Sequence, residues 1–181
     1  KDPITQPINF EQITSEGMGI DVAFQYCDAY DETILSFVNN VRTQDGGTHE
    51  TGFRSGFTKA VNDYARNTGL LKEKDKNLDG NDIREGLTAV ISVKVPEKLL
   101  HFEGKTKSKL GTSEAKSAVE NMVYDKLTIF LDENKETAQN LIKKAMKAYQ
   151  AREAARKARD EARGIKKAKV ERIISGKLTP A

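Results

Sequence analysis

The chain has 181 residues, of which 37% are hydrophobic and 31% are charged, and it contains no tryptophan. This length allows one domain of ordinary size, or a smaller domain with an appendage. No apolar stretch approaches the ~20 residues of a membrane-spanning helix, so a spanning helix is excluded. The chain begins with Lys1 rather than Met, which is typical of a piece of a longer protein, and its first residues carry no apolar signal sequence. A single cysteine, Cys27, cannot form an internal disulfide, which favours a reducing, cytoplasmic location.

The net charge of +3 conceals a strong asymmetry along the chain. Residues 143–181 contain 13 Lys and Arg against 4 Asp and Glu, a net charge of +9, whereas the preceding residues contain 17 against 23, a net charge of −6. A basic end on an acidic body predicts either a polyanionic or acidic partner, or simply a solvated helix rich in Lys and Arg. Both interpretations are open at this point.

The N-terminal two thirds predicts a mixture of strands and helices. Apolar side chains alternate over residues 19–26, and two further β-branched runs cover 33–41 and 88–95. The short polar segment 28–32 predicts a hairpin between the first two strands. Between the second and third strands, apolar residues at helical spacing predict a helix from about Glu50 to Gly69.

Two more helices are predicted after the third strand. One starts near Ser113, and the next starts near Asn134 and extends as a long, alanine-striped helix that ends at Gly164. From about Asn140 to Arg163 no proline or glycine interrupts it, so we expect one continuous helix with weakly packed last turns. This order of elements predicts an α+β fold with a protruding C-terminal helix.

Three short motifs suggest binding sites. Gly104-Lys105-Thr106 resembles the end of a P-loop, but Leu99 stands where its first glycine belongs. A calcium-loop pattern begins at Asp75, but Gly86 stands where the bidentate glutamate is needed. The run Gly46–Glu50 suggests a phosphate-binding turn, although a glycine turn leading into a helix capped by Thr48 is the better interpretation. With only two histidines in the chain, zinc-type ligand sets are excluded.

The segment Phe102–Gly111 carries three lysines alternating with small residues, Lys105, Lys107 and Lys109. Their ammonium groups could reach a phosphate as point charges. The simpler interpretation is a solvated basic loop, and the residues alone do not decide between the two.

Seven segments in order resemble the ATPase subunit of bacterial type IIA DNA topoisomerases. They are Ser36–Asn40, Asp45–Glu50, Gly52–Arg54, Asp82–Val90, Lys94–Pro96, Thr106–Gly111 and Ala151–Arg156. The resemblance covers nearly the whole chain. The last residues, Ser175–Ala181, are similar to the B subunit of topoisomerase IV more than to that of gyrase.

The resemblance implies a transducer domain, which in this family lies between a GHKL ATP-binding domain and a TOPRIM domain, neither of which the sequence contains. It implies a fold like domain 2 of ribosomal protein S5 over residues 1–132, a long helix toward the DNA gate over 133–164, and a linker to the TOPRIM domain over 165–181. Such a piece is expected to be inactive alone, although it belongs to an ATP-hydrolysing isomerase.

Site residues are implied by position. Lys107 matches the lysine of the family's Gln-Thr-Lys loop, which contacts the ATP γ-phosphate across the domain boundary, and is expected to be catalytic and ATP-binding. Lys105 stands where the family has glutamine, so it either adds a second positive charge or turns to solvent. Lys109 matches a lysine without a ligand role. Arg54 matches an arginine that faces the DNA-holding cavity.

The partners implied are ATP through its γ-phosphate, double-stranded DNA, the A subunit of topoisomerase IV, and a second copy of the same chain at the ATP gate. In the complete subunit, Mg²⁺ is expected, whereas none is expected on this fragment. No membrane partner is expected. The alternatives are the transducer of a gyrase B subunit, or a stand-alone basic module that binds nucleic acid or an acidic protein.

Overall fold

The computed structural model describes the backbone of residues 3–178 and the side chains of residues 3–165. The strands are β1 (Ile8–Ile13), β2 (Gly19–Tyr26), β3 (Thr33–Val38), β4 (Val41–Arg42) and β5 (Leu87–Lys94). The helices are α1 (Thr48–Asn67), α2 (Gly80–Ile83), α3 (Ser113–Glu133) and α4 (Lys135–Leu178), and a 3₁₀ turn covers Glu97–Leu99. In the described part of the chain, no helix is both long and apolar enough to cross a membrane.

The five strands form one sheet in the order β1-β2-β5-β3-β4. Strand β5 lies at the centre, antiparallel to β2 and parallel to β3. The predicted hairpin between β2 and β3 is therefore wrong, because β5 lies between them. In β5, the alternating residues Leu87, Ala89, Ile91 and Val93 are almost fully buried, so one face of the strand packs in the core.

Helices α1 and α3 cover one face of the sheet and enclose the core with it. Phe24 of β2 packs edge-to-face on Phe57 of α1, with ring centroids 5.3 Å apart. The buried stripe of α3 includes Val119, Met122 and Leu127, as its sequence periodicity predicts. The opposite face of the sheet is more open, with Asp21, Val90 and Lys94 exposed.

Helix α1 approaches α3 closely because glycines occupy two successive turns of its contact face. A Cβ atom on Gly52 would lie 2.4 Å from the carbonyl oxygen of Lys116, and one on Gly56 would lie 2.5 Å from that of Glu120. Both neighbours are backbone atoms of a packed helix, so they cannot turn aside as a flexible side chain would. The two glycines set the distance between the helices.

Three elements escape the sequence analysis. Strand β4 overlaps the end of the run 33–41, which the sequence predicts as one strand but which turns back at Asn39 and Asn40. Strand β1 is an edge strand with only Phe10 fully buried, which leaves a weak alternating pattern. Helix α2 is a single turn of four residues, too short to give a helical periodicity. The other predicted strands and helices are confirmed within a few residues at each end, apart from the C-terminal end of the last helix.

Helix α4 is continuous from Lys135 to Leu178, which confirms the uninterrupted helix predicted from about 140 to 163. The predicted end at Gly164 is wrong, because a single glycine lowers helix stability without ending a helix that has no competing turn. Ala138, Leu141, Ile142 and Ala145 are buried against the body. From Ala154 to Ile165 every side chain is exposed, so this part of the helix protrudes.

Replacement by alanine should affect the melting temperature differently at Gly56 of α1 and at Gly164 of α4. Gly56→Ala should lower the melting temperature by about 6 °C, since the clash with Glu120 outweighs the gain in helix propensity by ~2 kcal/mol. Gly164→Ala is the matched control, because nothing lies within 4 Å of its Cβ position. It should leave the melting temperature unchanged or raise it. Circular dichroism on heating measures both, and an unchanged value for Gly56→Ala would contradict the close packing.

Candidate functional site

The lysine segment forms a compact loop between β5 and α3, and we call residues 101–112 the lysine loop. Its two ends pair across the loop: the amide of Glu103 donates to the carbonyl of Lys109 (2.9 Å), and the amide of Gly111 donates to that of His101 (2.8 Å). Gly104 adopts a positive φ of 82° near the tip. These bonds make the lysine loop an ordered projection.

The Gly46-Gly47 turn anchors the lysine loop on the start of α1. The amide of Leu110 donates to the carbonyl of Gly46 (3.1 Å), and the amide of Thr48 donates to that of Leu110 (3.0 Å). Gly47 has a φ of 137°, and a Cβ atom there would lie 2.4 Å from the Leu110 carbonyl oxygen. Only glycine fits this crossing of two backbones.

The hydroxyl of Thr48 also holds the loop. It donates to the carbonyl of Thr112 at 2.6 Å. The predicted role of Thr48 as the helix cap is wrong, because Gly47 occupies the cap position and no side chain caps the helix. The run Gly46–Glu50 therefore connects α1 to the lysine loop, which sequence reasoning missed because the two segments are some 60 residues apart.

The three lysines of the loop have different surroundings. The ammonium group of Lys109 pairs with the Glu103 carboxylate at 3.1 Å. Lys105 and Lys107 are exposed, and neither has a carboxylate within 4 Å among the described side chains. These two lysines are the ones available to an anionic ligand.

Arg54 lies apart from the lysine loop, in the second turn of α1. Its guanidinium group contacts two carboxylates, Glu32 at 3.2 Å and Glu50 at 3.5 Å, and its side chain is 41% exposed. Arg84 shares the same oxygen of Glu32 at 3.0 Å. The structure thus places Arg54 on the surface, with its charge balanced by acidic neighbours.

A buried polar cluster lies under the start of α1, and the sequence analysis did not identify it. The Ser36 hydroxyl donates to the Glu50 carboxylate (2.6 Å) and contacts the Thr43 hydroxyl (2.8 Å), which in turn contacts Nε2 of His49 (3.1 Å). The only sequence signal is two adjacent polar residues, His49 and Glu50, in the first turn of a helix. The cluster joins β3 and the following turn to α1.

His49 is fully buried, and its Nδ1 atom has no hydrogen-bond partner among the described residues. Since the Thr43 hydroxyl also donates to the Ser36 carbonyl, we assign Nε2 of His49 as a donor to Thr43, which leaves Nδ1 unprotonated. Burial lowers the pKa of His49 to about 4, because a proton on Nδ1 would place an unpaired charge in the interior.

No group of three or more potential metal ligands occurs within the described residues. The residues of the calcium-like pattern instead hold their own turn together. Asp75 accepts from the amide of Lys72 (2.9 Å), Asn77 from the side chain of Arg66 (2.7 Å), and Asp79 from the amide of Asn81 (2.8 Å).

The pKa of His49 predicts a loss of stability in acid. In the unfolded chain the imidazole binds a proton below about pH 6.5, whereas in the folded chain it does so only below about pH 4. The unfolded state therefore binds more protons between these values, and stability falls as the pH falls through this window. From pH 7 to pH 4, His49 alone should lower the free energy of unfolding by on the order of 3 kcal/mol.

Urea denaturation at several pH values measures this effect, and His49→Gln should reduce the slope between pH 6.5 and 4. An NMR titration gives a direct check, since the chain has only two histidines. A His49 imidazole that titrates near pH 6.5 would contradict its burial in neutral form.

With the site described, comparisons with known proteins identify the family. The family described as DNA gyrase B matches residues 1–161. The chain is 61% identical to the B subunit of DNA topoisomerase 4 from Bacillus subtilis, over 100% of the chain and 28% of that relative. It is 65% identical to the B subunit of DNA topoisomerase 4 from Staphylococcus aureus, over 92% of the chain and 25% of that relative. The chain thus spans about a quarter of the length of these relatives.

Solved structures agree with this assignment. The 43K ATPase domain of Thermus thermophilus gyrase B, in complex with an aminocoumarin, superposes with a TM-score of 0.80 and 42% identity, over 88% of the chain and 42% of that structure. The topoisomerase IV ATP-binding domain of Francisella tularensis gives a TM-score of 0.72 and 30% identity, over 82% of the chain and 40% of that structure. The chain belongs to the DNA gyrase B family, and its high-identity relatives are topoisomerase IV B subunits.

Proposed function

We propose that the chain is the transducer of a topoisomerase IV-like B subunit, with a fold like domain 2 of ribosomal protein S5. It senses the γ-phosphate of ATP through the lysine loop and passes closure of the ATP gate to the DNA gate. One observation carries this proposal: the lysine loop projects Lys105 and Lys107, which have no carboxylate partner among the described side chains, from a backbone hydrogen-bonded to the start of α1. Family membership supplies the ATP-dependent context.

Lys107 is the proposed γ-phosphate ligand. A lysine that binds this phosphate detects hydrolysis, because the group that it holds moves and then leaves. The same positive charge stabilises the negative charge that develops on the phosphoryl group during transfer. An exposed ammonium group without a carboxylate partner loses no ion pair when it turns to the phosphate.

Lys105 is a candidate second ligand at the position where relatives have glutamine. It shares the exposure of Lys107 and its lack of a carboxylate partner in the described structure. Lys109 is a weaker candidate, because it would have to leave Glu103.

The main ATP pocket and its Mg²⁺ belong, in this proposal, to an upstream domain of the complete subunit. The described residues offer ATP only lysine point charges, which do not make an adenine pocket. We therefore expect the chain alone to be inactive as an ATPase. Its single cysteine favours a reducing compartment, and we expect the complete subunit to act in the cytoplasm.

Residues 1–132 form the proposed sensing domain, and the helix that follows is the proposed lever toward the DNA gate. With α4 extending to Leu178, the segment assigned to a linker toward a TOPRIM domain, 165–181, continues the lever over most of its length. The lever transmits rotation because a helix bends little over this distance.

Double-stranded DNA is the proposed polyanionic partner, and the A subunit of topoisomerase IV, together with a second copy of this chain, completes the assembly. Arg54 and the basic part of α4 would contact phosphates, which carry no sequence information. For Arg54, a phosphate must compete with Glu32 and Glu50, so we expect its DNA contact to be weak and salt-dependent.

The test is Lys107→Ala in the complete subunit. Turnover of ATP should fall by ~10²–10³-fold with a much smaller change in the Michaelis constant, because the lost contact strengthens in the transition state. Steady-state ATP hydrolysis measures both constants.

Lys109→Ala is the matched control, and it should have little effect because Lys109 already pairs with Glu103. Lys105→Ala tests whether the second unpaired lysine shares the ligand; if it does, the double variant is far more impaired than either single one. ATP hydrolysis by Lys107→Ala within about twofold of the parent would reject the proposal, since a preorganised ligand contributes far more.

A further inference from the structure

Among the described side chains, the last contact of α4 with the body is an ion pair between Arg152 and Asp82 of α2. Nη2 of Arg152 lies 3.0 Å from Oδ2 of Asp82, and Nε lies 3.3 Å from both carboxylate oxygens. The guanidinium group also lies over the ring of Tyr149, 5.4 Å from its centroid. Beyond Glu153, every described side chain of the helix is exposed.

Asp82 is a buried carboxylate, with its side chain only 6% exposed. Among the described side chains, Arg152 is the only basic group within 4 Å of it. Moving α4 away from α2 would break this ion pair and separate the Asp82 carboxylate from its basic partner, so the pair opposes such a tilt. The two helices are therefore held together at this point.

A second contact lies two turns earlier on α4. Nζ of Lys144 donates to the carbonyl of Glu85 at 2.8 Å, just before β5 begins. The neighbouring Gly86 has a φ of 80°, and a Cβ atom there would lie 2.5 Å from the Cys27 carbonyl and 3.1 Å from Nζ of Lys144. Lys144 and Arg152 are about 12 Å apart along the helix axis, so the two contacts fix its direction as well as its position.

Lys144 attaches α4 to the residues directly before β5, Arg152 attaches it to α2, which precedes them in the chain, and the other end of β5 leads to the lysine loop. Glu85 and Gly86 come directly before Leu87, and the chain after Lys94 enters the 3₁₀ turn and then the loop. As the central strand, β5 pairs with β2 over its whole length and with β3 from Thr88 to Val93. It is a stiff connection between the lysine loop and the base of α4.

We propose that Asp82, Arg152 and Lys144 form a clamp that makes α4 move as one body with β5. They are positioning residues, which convert a movement of the lysine loop into a movement of the protruding helix. This inference rests on the proposed function for its direction of signalling. The mechanical statement, that the clamp fixes the exit angle of α4, is independent of it.

The test uses the complex of the complete B subunit with its A subunit, in a background without other reactive cysteines. Spin labels at Asp21→Cys on β2 and Ala158→Cys on α4, both exposed positions, report the angle of the helix to the sheet by pulsed electron resonance. Arg152→Ala should broaden the distance distribution roughly twofold, since the apolar contacts that remain lie nearer the start of α4. Asp82→Asn should do the same.

Arg156→Ala is the matched control for the distance measurement. Arg156 lies one turn beyond Arg152 and pairs only with Glu153 and Asp160 of its own helix among the described residues. Its loss should leave the distribution unchanged. Because Arg152 is on the surface, its replacement is compatible with folding even where the change at Asp82 is not.

A second readout separates positioning from a structural role. Arg152→Ala should leave the Michaelis constant for ATP unchanged while strand passage per ATP hydrolysed falls by about fivefold. An unchanged distance distribution in Arg152→Ala, or a distribution that broadens equally in Arg156→Ala, would overturn the clamp. A normal ATPase rate in Lys107→Ala would instead reject the proposed function and leave the distance result standing.

Discussion

The crossing of Gly47 and Leu110 is the contact on which the arrangement of this chain depends. Two backbones separated by some 60 residues meet there without room for a Cβ atom, and amide–carbonyl bonds on each side hold them together. This contact fixes the lysine loop against the start of α1. Without it, Lys105 and Lys107 would lie on a loop that is held less firmly against α1.

From that crossing, two stiff elements lead into the body. Helix α1 packs on α3 through Gly52 and Gly56, and β5 runs through the centre of the sheet to the base of α4. The ion pair of Asp82 with Arg152 then holds α4 where it leaves the body. A displacement of the loop can therefore reach the protruding helix through packed or hydrogen-bonded elements, which is what a signalling domain requires.

Most of the strands and helices could be predicted from the sequence because they depend on local periodicity. Alternation in β2 and β5 and the apolar stripes of α1, α3 and α4 correctly predicted these elements. Strand order could not be predicted, because β2 and β5 show the same alternation of buried residues and no local pattern records which strands pair. The predicted end of α4 at Gly164 was wrong, because one glycine lowers the stability of a helix only slightly. The hydrogen bonds between the Gly46–Glu50 run and the lysine loop could not be predicted, since no local sequence pattern indicates a contact between distant backbone segments.

The resemblance to the topoisomerase subunit family implies a γ-phosphate contact for Lys107, and the three lysines of the loop differ in their surroundings. Lys109 is paired, whereas Lys105 and Lys107 are not paired in the described structure. The most direct measurement is a crystal structure of the chain joined to its upstream domain with a non-hydrolysable ATP analogue. We predict Nζ of Lys107 at about 2.7–3.2 Å from a γ-phosphate oxygen. Lys107 pointing to solvent in that complex, with the γ-phosphate bound by the upstream domain alone, would contradict the account.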